Sequence, residues 1–211
     1  YNGTVSFTPT TNLTSSGNYT FALRTAAPAT VTENALDFDG DNNLSVADYV
    51  QAPDGIYFDG TDFSVEVWVF LTKYDNWTPI IDFGTNRGSN NIQFCPSDGM
   101  RGTPIMWLQG GRLTAATKTP LNVWSHLAYT FNSTSRKAKL YLNGLKIAEG
   151  TMPRPNNVVR TAYIGKSWWA PYEKNYPGKL DELRIWNVER SAADITSNMN
   201  NEIEPSDSLE L

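Results

Sequence analysis

One cysteine and one histidine are all that this 211-residue chain offers of two residue types that carry much of protein chemistry. With Cys95 alone, no intrachain disulfide can form and no thiolate-based zinc site can be built. Any Ser/His/Asp triad or Cys/His pair must use His126, which lies inside a strand pattern apart from the polar surroundings of Cys95. Long apolar runs are also missing. The longest, around residues 65–71, is broken by Glu66 and falls far short of the ~20 residues a membrane helix needs. Basic charge is in short supply as well: 17 Lys and Arg against 22 Asp and Glu leave a net charge of −5. That is the wrong sign for attracting phosphate backbones, so nucleic acid is excluded as an expected partner, and membrane insertion with it. Apolar side chains are plentiful, at 40% of residues with seven Trp, ten Tyr and nine Phe. The chain can therefore bury a core and is not a disordered polar tract.

Residues 1–33 are rich in Thr, Ser, Asn and Pro and read as the end of a preceding module plus a linker. From 35 to 186 short alternating apolar runs recur between clusters of Gly, Asn, Asp and Pro, which is the punctuation of an all-β domain. Strands are expected over 35–38, 49–51, 63–71, 78–83, 91–95, 104–108, 112–115, 123–132, 137–142, 145–149, 161–164 and 178–186. The clearest hairpin turns at Asn143-Gly144, because both central residues of its favoured turn need positive φ. A short helix opens at Ser191, where Asp194 completes a capping box. A dozen short antiparallel strands exceed one comfortable open sheet, so two packed sheets are expected, a β-sandwich or jelly roll over 34–204 with 205–211 as a tail.

Four segments in order carry a resemblance: ALDFDGDNNLSVADYV (35–50), FSVEVWVF (63–70), NVWSHLAYTFNSTSRKAKLYLNGLKIAEG (122–150) and YIGKSWWAPYEKNYPGKLDELRIWNVERS (163–191). Together they resemble the laminin-G-like domains of the concanavalin A-like lectin/glucanase group, in the form common in secreted bacterial multidomain proteins. The resemblance implies an antiparallel jelly roll with a concave face, a secreted or cell-surface setting, carbohydrate or cell-surface binding, and often a structural Ca²⁺. The fold alone fixes no ligand.

Asp37, Asp39, Asp41, Asn42 and Asn43 crowd around Gly40 and offer the hard oxygens that calcium takes. The spacing is not that of an EF-hand. Carried over from the resemblance, the implied ligands are Asp39, Asp41, the Gly40 carbonyl and Asp181, the last from a strand expected to lie beside the N-terminal one. Against them stands ordinary turn chemistry, in which Asp and Asn bond their own backbone.

The segment 167–177 concentrates Trp168, Trp169, Tyr172 and Tyr176 among Pro, Asn and Lys, which marks a surface loop. Exposed rings suit the apolar faces of sugars, and Asn, Gln and Arg suit their hydroxyl rims. The candidate ligand-binding set is Trp169, Tyr172, Trp168, Trp77, Arg87, Asn91, Gln93 and Trp107, provided that their loops gather at one edge. Trp169 and Tyr172 lead it, since neighbours on an extended segment point to opposite sides. Tyr176 reads as a packing residue, and Trp68, Trp124 and Trp186 as core. His126 reads as a partly buried, satisfied imidazole, sharing a face with Trp124, Ala128 and Thr130.

Hydrolases of the resembling group carry two or three carboxylates at alternate positions of one strand, about 5 Å apart. Here Glu66 stands alone and Asp181-Glu182 are adjacent, so they face opposite ways. A lyase would need His126, Tyr129 and Arg160 gathered together, and no motif unites them. The chain is therefore expected to be a non-catalytic, monomeric, calcium-stabilised module that binds a glycan or polysaccharide. The alternatives are a protein-binding or spacer module facing a cell-surface protein, and a polysaccharide-degrading hydrolase or lyase.

Overall fold

The computed structural model describes residues 35–40, 48–88 and 90–201. The expected preceding module and linker at 1–33, the tail at 205–211 and the calcium candidate Asp41 lie outside the described residues. Among the described residues no helix is long and apolar enough to cross a membrane.

The described chain forms two antiparallel six-stranded sheets. The first contains, in spatial order, β1 (Leu36–Asp39), β12 (Pro177–Trp186), β3 (Phe63–Leu71), β8 (Trp124–Phe131), β9 (Lys137–Leu142) and β10 (Leu145–Thr151). The second contains β2 (Val50–Gly55), β11 (Arg160–Ile164), β4 (Ile81–Gly84), β5 (Ile92–Cys95), β6 (Ile105–Leu108) and β7 (Gly111–Thr114). Every strand expected from the sequence is present, with ends displaced by a few residues. The hairpin turn between β9 and β10 has Asn143 at φ 50° and Gly144 at φ 77°, the conformation that Asn-Gly favours. Helix α1 (Ala192–Asn198) starts at Ser191 with both halves of the capping box formed.

Alternation decides what goes between the sheets. In β3, Val65, Val67 and Val69 point inward and are fully buried, and β-branched residues fit that pleated, packed surface. Opposite them Ile81, Phe83, Ile92, Phe94, Met106 and Leu108 fill the second sheet's inner face. The Phe83 ring lies 4.9 Å from that of Tyr57 and 5.9 Å from that of Phe58. Tyr176 packs edge-on against Phe38 and is fully buried, as expected of it.

The other tryptophans correct their expected place. Trp68, Trp124 and Trp186 do not lie between the sheets, because alternation turns them to the outer face of the first sheet. There α1 and the segment before it form a cover. Trp68 Nε1 donates to the Met199 carbonyl, Arg190 stacks 4.1 Å from the Trp186 ring, and Ile195 packs on Ala128 and Tyr141. Glu66 is buried beneath this cover, 3.1 Å from Arg190 Nε.

The second sheet's outer face carries a row of paired residues running straight across all six strands: Gln51, Tyr163, Asp82, Gln93, Trp107 and Arg112. This row is the floor on which the loop 165–176 lies.

Phe83→Ala should lower the unfolding free energy by about 3–5 kcal/mol in denaturant titration, as ring deletions in packed cores do. A loss under ~1 kcal/mol would mean that the inter-sheet core is not closed around this ring.

Candidate functional site

Asp82 is an acid within an apolar strand, and alternation sends it to the outer face while Ile81 and Phe83 face the core. It is nonetheless completely buried, because the loop after β11 folds back over it. Asn91 Nδ2 donates to Oδ1 at 3.0 Å, and Gln93 Nε2 donates to Oδ2 at 3.3 Å. From the loop, the Trp168 backbone N–H donates to Oδ2 at 2.9 Å, and Ser167 Oγ lies 3.2 Å from the same oxygen. Glu173 joins from the loop's far side, accepting from Gln93 Nε2 at 2.7 Å and from Ser167 Oγ. Burial pushes the Asp82 carboxyl up to about 6, against the pull of the Asn91, Trp168 and Ser167 donors. Burial raises Glu173 in the same way.

The loop so pinned is a turn at 168–172, not an extended segment, and this redistributes the aromatic candidates. Trp168 is half-buried on the sheet side, its ring 5.1 Å from that of Tyr163, which in turn meets Tyr49 edge-on at 5.8 Å. Trp169 is 38% exposed and turned away, with its ring edge beside Gly88. Tyr172 is 74% exposed on the loop's outer surface, where its carbonyl accepts from Asn76 Nδ2. Arg87 clamps the turn by donating from Nε to the Trp168 carbonyl at 3.1 Å and from Nη2 to the Ala170 carbonyl at 2.6 Å.

Beside the clamp opens a hollow of about 570 Å³ lined by Asn86, Arg87, Tyr163, Lys166, Ser167, Trp168 and Ala170. The size is that of a small-ligand site. Of the sequence-predicted set it holds Trp168 and Arg87. Asn91 and Gln93 are not available to a ligand: both are buried, with their amides committed to Asp82. Trp107 lies on the same row but three strands from Tyr163, roughly 14 Å away at ordinary strand spacing. Trp77 is half-buried next to Gly99, away from the hollow's lining. Trp169 and Tyr172 form the loop's outer side. Sequence reasoning missed Tyr163 and Lys166, which line the hollow, and Asp82 and Glu173, which anchor the loop beside it. The alternation of RTAYI (160–164) is a readable signal that Tyr163 faces outward opposite Ala162 and Ile164.

Of the metal candidates among the described residues, Asp39 and Gly40 are not brought to Asp181. β1 and β12 do pair, as implied, but in the register Asp39↔Pro177 and Leu36↔Leu180. Asp181 thus lies opposite position 35, four residues from Asp39, or about 13 Å along the strand. Asp39 and the Gly40 carbonyl cannot share one ion with Asp181. Among the described residues no group of three or more His, Cys, Asp or Glu is placed to hold a metal.

The constellations for other chemistry are scattered too. His126 is 1% exposed on the first sheet's outer face, 3.6 Å from Glu66, and burial lowers its pKa to about 4. The bland reading of this histidine holds in its burial, although Nδ1 has no hydrogen-bond partner. Tyr129 lies between the sheets. Arg160, at the edge of the second sheet, spends its guanidinium on the carbonyls of Asn90, Phe58, Val158 and Asn156. Cys95 is buried, with its thiol pushed well up by burial, on the sheet that does not carry His126.

Two outcomes test this geometry. Asp82 binds its proton more tightly folded than unfolded, so its contribution to stability is complete below pH ~4 and is lost as pH rises through about 6. Asp82→Asn carries no such dependence. The stability of the wild type relative to this variant should therefore fall by about 1 kcal/mol from pH 5 to pH 7 in denaturant titrations; an unchanged gap would contradict the burial of this carboxyl. Separately, any effect of calcium on the melting temperature should be the same in Asp181→Asn as in the wild type. A calcium-dependent rise that this variant abolishes would contradict the register.

Residues 39–196 match the concanavalin A-like lectin/glucanases superfamily, through its laminin G-type domain. A candidate carbohydrate-binding protein of Bacteroides ovatus has a similar fold, with a TM-score of 0.64 at 19% identity over 84% of this chain and 50% of its own. Domain 4 of an extracellular arabinanase from Geobacillus stearothermophilus, solved with arabinotriose, gives 0.62 at 24% over 77% and 75%. In sequence, a pentraxin-related protein of Bos taurus is 32% identical over 100 residues, 46% of this chain. The chain spans only a quarter of the length of that relative. With the family match covering most of its length, the chain belongs to the concanavalin A-like lectin/glucanases superfamily as a laminin G-type domain.

Proposed function

We propose that this domain is a non-catalytic, extracellular carbohydrate-binding module whose sugar lies in the hollow beside the pinned loop, against Trp168 and Tyr163. The observation that carries the reading is the pairing of these two rings at 5.1 Å on the wall of an open hollow rimmed by Asn86, Arg87 and Lys166. Aromatic faces match the C–H faces of a pyranose or furanose, and the polar rim matches its hydroxyls. Further support comes from similarly folded proteins, one a candidate carbohydrate binder and one solved with arabinotriose. Trp169 and Tyr172 stand outside the hollow and would meet only a longer chain that runs over the loop.

The scattering of His126, Tyr129 and Arg160 removes the arrangement on which a lyase reading rested. Calcium is no part of the proposed sugar site, since Asp39 and Asp181 do not line the hollow.

The reading is tested on a glycan array followed by calorimetric titration of the best oligosaccharide. Trp168→Ala and Tyr163→Ala should each weaken binding about tenfold or more, the usual effect of losing a central aromatic contact. Trp107→Ala should stay within about twofold. Loss on Trp107→Ala with no effect of Trp168→Ala would move the site to the other end of the row and overturn the assignment.

A further inference from the structure

The hollow is positively lined in an acidic chain. Two of its lining residues, Lys166 and Arg87, are cations, and among the described residues no carboxylate lines it. The whole chain carries a net charge of −5, so the local sign runs against the global one.

Neither cation is paired with a carboxylate among the described residues. The Lys166 ammonium rests over two rings, 3.8 Å from the centroid of Tyr49 and 4.6 Å from that of Tyr163. Such contacts hold a cation in place without cancelling its charge. Arg87 is held by two backbone carbonyls and lies 5.9 Å from the Tyr172 ring centroid, which fixes the plane of the guanidinium without discharging it. The acids that pin the loop, Asp82 and Glu173, sit behind it with their oxygens turned to Gln93, Ser167 and the Trp168 N–H. Asp54, whose charge is felt at the Tyr163 hydroxyl, belongs to β2 and does not line the hollow.

Resting on the carbohydrate reading above, we infer that the sugar this hollow selects is acidic: a carboxylate-bearing monosaccharide unit, seated with its ring on Trp168 and Tyr163 and its carboxylate toward Lys166 and Arg87. A guanidinium of fixed plane suits the planar carboxylate, and the ammonium adds a point charge from the opposite wall. A neutral sugar leaves both charges without a counterpart. A uronic acid and a ulosonic acid present the same chemistry, and the experiment separates them.

Titration calorimetry of the whole chain uses four probes: an α-1,4-oligogalacturonate, the same oligomer after carboxyl reduction, 3′-sialyllactose, and lactose. At low salt at least one acidic probe should bind about tenfold tighter than its neutral counterpart, a ratio that shrinks as added salt screens the charges. Whichever acidic probe shows the preference identifies the type of acid. In Lys166→Met the acidic-to-neutral ratio should fall to within about threefold, and Arg87→Gln should reduce it as a second, independent variant. Melting curves establish that both variants are folded. Equal affinity for acidic and neutral partners, or a ratio unaffected by both variants, overturns the inference while the carbohydrate reading stands. Silence toward all four probes in folded protein overturns the inference, and only silence on the glycan array as well removes the carbohydrate reading.

Discussion

A single buried carboxylate organises the face of this domain that meets solvent. Asp82 draws the amide of Gln93 in β5, that of Asn91 just before it, and a backbone N–H from the loop after β11 to one point on the second sheet. Ionised or protonated, a carboxyl in that position must keep its partners, since an unpaired buried polar group costs more than a hydrogen bond returns. The loop therefore cannot lift without exposing Asp82 and breaking its bonds to the Trp168 N–H and Ser167 and the bond from Gln93 to Glu173. The turn at 168–172 is in consequence held down at its start by Asp82, at its side by Arg87 and at its end by Glu173. The Trp168 ring is thereby pressed toward Tyr163, and the hollow beside it is kept open.

The two sheets resolve the same problem differently. Each has an inner face filled by apolar side chains and an outer face whose residues alternate with them. On the first sheet, α1 covers the outer face around Glu66, Trp186 and Arg184, which are buried there, and leaves a hollow of about 410 Å³ beside Trp68 and Trp124. On the second, a loop bridges only the middle of a six-residue row, leaving the Tyr163 end open beside the hollow and Arg112 exposed at the other end. The helix-covered face carries buried charge pairs, Glu66 with Arg190 and Arg184 with Glu182. The partly covered face carries rings and cations with no carboxylate partner among the described residues, next to open space, and on these features the proposed sugar site rests.

The fold was legible because its signals are local. The Val65-x-Val67-x-Val69 alternation, the Asn143-Gly144 turn and the Ser191/Asp194 capping box each specify an element within a few residues, and all three form as read. The site was legible only in part, because it depends on register. Pairing of β1 with β12 was expected, yet whether Asp39 meets Asp181 turns on an offset of four residues that no local pattern encodes. Asn91 and Gln93 read as surface hydrogen-bonders until the loop that buries them is in place. An extended segment would send Trp168 and Trp169 to opposite sides with Trp169 toward the ligand; the turn reverses their roles, putting Trp168 on the wall of the hollow and Trp169 outside. Alternation alone placed Asp82 outward, but its burial comes from residues some 85 positions later in the chain, Ser167 and Trp168.

The most direct test is a crystal structure of the domain soaked with the oligosaccharide it binds best. A sugar ring stacked on Trp168 or Tyr163, within reach of Arg87 and Lys166, with the loop still anchored on Asp82, is the predicted result. Sugar seated instead at the Trp107 end of the row, on the exposed faces of Trp169 and Tyr172, or on the first sheet would contradict it.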